Sequence, residues 1–250
     1  MTHDKSGGGR VSIKELNHVL VSRYFATVAD DCLMFAVMSP GQNTTCRIEL
    51  HTLPCIRYMS VLFGFDSAMV EGCEHYQKGS YRNRYHIAGP QGIQRLSIPL
   101  QKGKHQQQPI QEVMIAYHTP WYRQHLRAIQ TGYGSAPYFM HYYPELEDIL
   151  YRKESSLWKL NIMLLEWVKS IVEFPFQMAI TEDFQLPGNA TDLLNTIQPH
   201  DQFNNTSYQQ VFTDRHGFIE NLSILDLIMH LGPESSRYLA AENQRLTIRP

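Results

Sequence analysis

The sequence contains no G-x-G-x-x-G or Walker-type glycine loop, so no motif marks a nucleotide phosphate held by backbone amides. No window approaches ~20 uninterrupted apolar residues, and no transmembrane helix is expected. No secretory signal is expected either: the apolar stretch after Lys5, Arg10 and Lys14 is broken by His18, Arg23, Asp30 and Asp31. The four cysteines, Cys32, Cys46, Cys55 and Cys73, lack C-x-x-C or Cys/His ligand spacing. That excludes a structural zinc pattern and makes a reduced, cytoplasmic setting the expectation. There is no G-x-S-x-G, and no cysteine has the flanks of a known catalytic thiol, so a covalent intermediate has no support. A large excess of either charge is also absent. The formal net charge is -2, too low for a general nucleic-acid coat protein, and any basic site must be local. No metal or cofactor is named by any motif.

What is present is globular: 43% hydrophobic and 18% charged residues over 250 positions, enough chain to bury a core without disulfide or metal staples. Residues 1–46 differ in character, with SGGG at 6–9 and linker composition at 39–45, and are expected to be an N-terminal extension. The domain is expected over 47–240, with a tail at 241–250. Arg47 to His51 reads as a strand, Leu53-Pro54 opens a helix running to Phe63, and Ser67 to Glu71 reads as a second strand. In open α/β sheets ligands gather at the carboxyl ends of such strands. Arg84–Ala88 and Gln94–Leu100 flank a GPQG hairpin turn, and Glu112–Tyr117 alternates with Val113 and Ile115 on one face. Helices are predicted over 120–130 with Thr119 as cap, over 144–151, over 155–172 with a Leu157, Leu160, Leu164, Val168, Ile171 stripe, and over 223–231. Phe176–Ile180 reads as a late strand, and 181–206 as an extended loop. The fold class is α/β, a single domain with a central mixed sheet flanked by helices.

The densest chemistry lies between His75 and Leu100. Lys78, Arg82 and Arg84 are interleaved with Tyr76, Tyr81, Tyr85 and His86. Guanidinium forks match phosphate or carboxylate oxygens, and tyrosine faces can stack on a base or sugar. Lys78, Arg82 and Arg84 are therefore candidates to hold a phosphate-bearing group, with Asn83 completing the hydrogen bonds and His51 and Glu74 approaching from the first two strand ends. The plain alternative is a solvated hairpin. His51 also precedes a helix, where an anion could sit. Nucleotidyltransferases need a second histidine in that turn, and this chain has Cys55, Ile56, Arg57 and Tyr58 instead. Glu74-His75 could serve as a general base or bind a metal, or be solvated charges on a loop. Trp121 and His125, four apart, would share a helix face as sugar platform and proton donor, or simply pack in the core. Asp214-Arg215-His216-Gly217 has acid-base residue types, or is an ion-paired turn.

In order, these segments resemble the WbqC-like protein family of bacteria, closest to its Bacteroidetes-type branch. The residues that carry the likeness are Leu53-Pro54 with Tyr58, Glu74 to Lys78, Tyr81 to Arg84, LSIPLQKGK at 96–104, Trp121 with His125, SAPYF at 135–139, YQQVFTDRHGF at 208–218, NLSILDL at 221–227 and GPES at 232–235. The resemblance implies an association with O-antigen and other surface-polysaccharide biosynthesis. It therefore implies an enzyme acting on a nucleotide-activated or otherwise phosphorylated sugar, with acyl or aminoacyl transfer from an acyl donor to a sugar amine. On that reading His125 or His216 is the general base, with Glu74 as a further catalytic group, and Trp121 is the sugar platform. The alternatives are a non-enzymatic module that binds an anionic glycan or a protein, and a nucleotidyltransferase-like nucleotide-binding protein.

Overall fold

The computed structural model describes residues 44–101, 108–184, 188 and 190–248. The expectation for residues 1–43 lies outside them. Within them the chain forms an α/β domain. Four parallel strands make one sheet: β1 (Thr45–Ile48), β2 (Ser67–Val70), β5 (Gln177–Ile180) and the two-residue β6 (Thr191–Asp192), in the order β5-β2-β1-β6. β1 is central, with Cys46, Arg47 and Ile48 all buried, as expected of a parallel strand covered on both faces. A separate antiparallel pair, β3 (Arg84–Gly89) and β4 (Gly92–Ser97), turns at Pro90-Gln91, where Gly92 adopts a φ of 100°. The mixed pairing foreseen is thus divided between two sheets.

The helices are α1 (Ile56–Leu62), α2 (Trp121–Tyr133), α3 (Phe139–Tyr151), α4 (Leu157–Ile171), the single turn α5 (Thr213–His216), α6 (Ile224–Leu231) and α7 (Ser235–Ile248). The predicted stripe of α4 is buried throughout, and Ser156 caps the helix by accepting from Lys159 N at 3.3 Å. Ser223 caps α6 in the same way. Three expectations shift. Thr119 is not the cap of α2; only its carbonyl engages, accepting from Trp121 N at 2.9 Å. Glu112–Tyr117 makes isolated bridges at Met114 and Ile115 rather than a strand, because Ile110–Glu112 is wound into a 3-10 turn. The predicted tail at 241–250 continues α7 as far as Ile248, with Glu242 buried and accepting from Thr206.

α2 packs directly on β3 at Gly132. A β-carbon there would stand 2.6 Å from the Ala88 carbonyl oxygen, a backbone atom that cannot swing away. Gly132→Ala is expected to destabilise the domain by about 1–3 kcal/mol, read as a lowered urea midpoint at unchanged m-value.

Candidate functional site

The candidate site is built at the carboxyl ends of the parallel strands. Arg47, Glu49 and His51 alternate along β1 and its extension, so their side chains share one side. Glu71 follows β2 directly, Thr181 follows β5, and Asn195 follows β6. Arg82 enters from the 3-10 turn Tyr81–Asn83 and lies at the centre with 0% exposure. Its Nε donates to Glu74 Oε1 at 2.8 Å and its Nη2 donates to Glu74 Oε2, a bidentate fork, while Nη2 also reaches Asn195 Oδ1 at 2.9 Å. Nη1 lies 4.0 Å from Glu49 Oε1 and has no hydrogen-bond partner among the described residues. A second layer joins Arg47 to Glu71 at 3.5 Å and to Asp192 at 2.6 Å. Glu71 is held by Thr181 Oγ1 at 2.7 Å and by Cys73 N at 2.8 Å.

Beside Arg82, His51 is likewise fully buried, at 0% exposure. Its Nε2 meets Glu49 Oε1 at 2.9 Å, and the other Glu49 oxygen accepts from Asn195 N at 2.9 Å. A carboxylate only accepts, so Nε2 carries the proton and Nδ1 presents its lone pair. Nδ1 is buried with no partner among the described residues. Burial lowers the imidazole pKa, Glu49 opposes this, and Arg82 adds to the lowering, so the ring is neutral at pH 7. Burial pushes the Glu49 carboxyl up, but the bond to His51, the charges of His51 and Arg82 and the Asn195 amide together bring it below its usual value. Burial raises Glu74 against the pull of Arg82, and the charges of Glu49 and Glu71 add to the rise. The rings of Tyr58 and Tyr81 flank His51 at 4.5 and 5.3 Å between centroids.

The backbone that delivers His51 is strained. Leu53, buried, sits at φ 44°, a left-handed conformation that costs a branched residue roughly 1–2 kcal/mol. Asn195, also in the cluster, lies at φ 60°. Such outliers persist where the surroundings over-determine them, and they concentrate at functional sites. The helix-terminus reading of His51 changes, however. The first amides of α1 are already taken, Ile56 N by Leu222 O at 2.9 Å and Arg57 N by Asn221 Oδ1 at 3.0 Å. Neither of these two amides is therefore free for an anion.

Of the residues singled out in the sequence, the structure brings His51, Glu74 and Arg82 together and sets the others apart. Lys78 is exposed on a turn. Asn83 donates to Ile98 O at 2.9 Å, while its Oδ1 and the Nε of half-buried Arg84 have no partner among the described residues. Tyr76 is buried, near enough to Arg84 and Arg82 for their charges to oppose the rise that burial causes in its pKa. Trp121, 3% exposed, is enclosed by Tyr117, Tyr122 and His125, which leaves no ring face for a sugar. His125 bonds Tyr85 through Nδ1 at 3.0 Å, and burial drives its pKa down to about 4 despite a bond to the Ser97 backbone. His216 is exposed and donates from Nε2 to Pro90 O at 3.0 Å, tying α5 to the hairpin turn. Glu49 was missed, although its signal was present: R-x-E-x-H is period-two spacing in a predicted strand. Nothing local marked Asn195, which arrives from the far side of a two-residue strand.

A second buried polar cluster lies apart from this site. Asp226 on α6 accepts from Tyr208 Oη at 2.5 Å and from Gln210 Nε2 at 2.9 Å, and burial raises its pKa. It fastens the 208–210 segment to α6. Among the described residues no group of His, Cys, Asp and Glu is arranged to hold a metal ion, and no helix is long and apolar enough to cross a membrane.

The His125 geometry carries a pH prediction. An ordinary histidine has a pKa near 6.5 and this one about 4, so between those values the unfolded chain binds a proton the folded chain refuses. Stability should fall as pH drops through that window, by roughly 3 kcal/mol from this residue. His125→Gln should flatten the acid limb relative to the parent in urea titrations at pH 7 and pH 4; parallel limbs would refute the assignment.

One of the comparisons with known proteins names a family. Residues 51–208 match the WbqC-like protein family. The uncharacterized protein Rv1507c of Mycobacterium tuberculosis (strain ATCC 25618 / H37Rv) is 26% identical over 224 residues, covering 77% of this chain and 95% of that protein. No solved structure matches. The match spans the His51, Glu74, Arg82 and Asn195 cluster, and the chain belongs to the WbqC-like protein family.

Proposed function

We propose that this protein is an enzyme of surface-polysaccharide assembly that acts on an activated sugar, transferring an acyl or aminoacyl group to a sugar amine, with His51 as general base and Glu49 as its orienting partner. The observation that carries the reading is the unpartnered His51 Nδ1, set at the strand ends by a carboxylate on Nε2. A neutral imidazole fixed in one tautomer by a carboxylate is the arrangement general-base chemistry requires. In the transfer the amine nitrogen bonds to the acyl carbon while the donor's C–S or C–O bond breaks. His51 Nδ1 takes the amine proton and returns it to the leaving group. Arg82, locked by Glu74, keeps a positive charge 4.0 Å from Glu49. His125 and His216 are less suited to the base role, since His125 is bonded in the core and His216 holds the hairpin turn.

The test incubates the protein with acyl-thioester donors and aminosugar acceptors, free and nucleotide-linked, and follows product mass. Turnover that depends on His51 supports the reading. No turnover across the panel, together with tight binding to an anionic glycan or a protein, would establish a binding module instead.

A further inference from the structure

A cleft of about 550 Å³ lies between the β3–β4 turn and the 201–221 segment, within the size range of small-ligand sites. Two aromatic side chains, Phe203 and Phe218, line it together with Asn204, Asn221, Asp201 and Glu220. Phe218 is steadied edge-on by Tyr208 at 5.1 Å. Asn221 is held at φ 50°; its N–H donates to Asn205 Oδ1 at 2.8 Å and its own Oδ1 accepts from Arg57 N at 3.0 Å, leaving Nδ2 as its remaining donor. Asp201 is ion-paired with Arg57 at 3.0 Å and accepts from Gln198 N at 2.8 Å. Glu220 is exposed and has no ion pair among the described residues, and no lysine or arginine lines the cleft.

That combination selects a chemistry. Aromatic faces meet the C–H groups of a sugar ring, side-chain amides meet hydroxyl groups, and an uncompensated carboxylate meets a cation while repelling phosphate. We propose that this cleft binds a hydroxyl-rich ligand bearing a protonated amine, of amino-sugar class, with Glu220 as the ammonium partner. This names where the acceptor is held before the reaction proposed above, since the ammonium must first give a proton to solvent before its nitrogen can attack; it rests on that reading for the reaction but not for the binding. Tyr81 connects the two places. Its ring stands 5.3 Å from His51, and Asp201 of the cleft wall together with Arg57 bears on its hydroxyl.

The experiment titrates the ¹⁵N-labelled full chain with glucosamine, with glucose and with inorganic phosphate, following amide shifts. Glucosamine should bind more tightly than glucose by up to about fivefold, the upper worth of one exposed charge pair, and should shift the amides of Ile93 and Glu220. Glu220→Gln should remove that advantage and leave glucose binding unchanged; the site is exposed, and a melting curve confirms the variant is folded. Equal affinity for the two sugars, preference for phosphate, an advantage that survives Glu220→Gln, or no binding would each overturn the proposal. His51→Gln should bind glucosamine like the parent. Intact binding with no transfer in any donor panel would therefore refute the reaction and leave the subsite standing.

Discussion

Arg82→Ala should cost the fold on the order of 3–5 kcal/mol, enough to leave much of the chain unfolded at 37 °C. The residue makes no exposed contact whose loss water could repair. Removing its guanidinium strands Glu74, which accepts two of its hydrogen bonds, and brings Glu49 closer to an uncompensated buried charge. Pairing the substitution with Glu74→Gln should recover a substantial part of the loss, because the group left unpaired is then neutral. The two changes should couple by about 1–3 kcal/mol in a double-mutant cycle on urea midpoints. Strict additivity would show that packing around the aliphatic stem, rather than the ion pair, accounts for the cost. A surface phosphate ligand would behave differently, since its loss weakens binding and spares the fold.

His51→Gln should lower kcat for the transfer by about 10²–10⁴-fold with little change in KM, the range a positioned general base supplies. Glutamine keeps a donor for Glu49 but has no titrating lone pair. Glu49→Gln should lower kcat less, since it leaves the imidazole in place while disturbing its tautomer and removing the charge that faces Arg82. A His51 variant with parental kcat would remove the base from the scheme whatever the reaction proves to be.

The strands, the hairpin and the long helices were legible because each writes its period locally. The α4 stripe and the GPQG turn are the clearest cases. The site was half legible. His51, Glu74 and Arg82 could be named from their types and their nearness to strand ends, but the sequence cannot say whether a cation meets a ligand or a carboxylate eight residues back. Here Glu74 takes the fork, which turns an apparent anion-binding arginine into a buried ion pair. Trp121 and His125 show the same limit: helical spacing places them side by side, while the surrounding Tyr85, Tyr117 and Tyr122, from other segments as well as their own helix, decide that they are covered.

The capping of α1 by Asn221 and Leu222 has a consequence for the order of folding. β1 can gain β2 soon after it is made, but its other neighbour, β6, begins at Thr191, and the first amides of α1 wait for residues about 165 positions downstream. At translation rates of 5–20 residues per second, that interval is roughly 8–33 s. During it the central strand of the sheet has one open edge and the helix beside His51 has an unfinished start. A nascent chain halted before Asn221 would lack the closing contacts, and its exposed strand edge would be the place where a chaperone, or another unfinished chain, could pair.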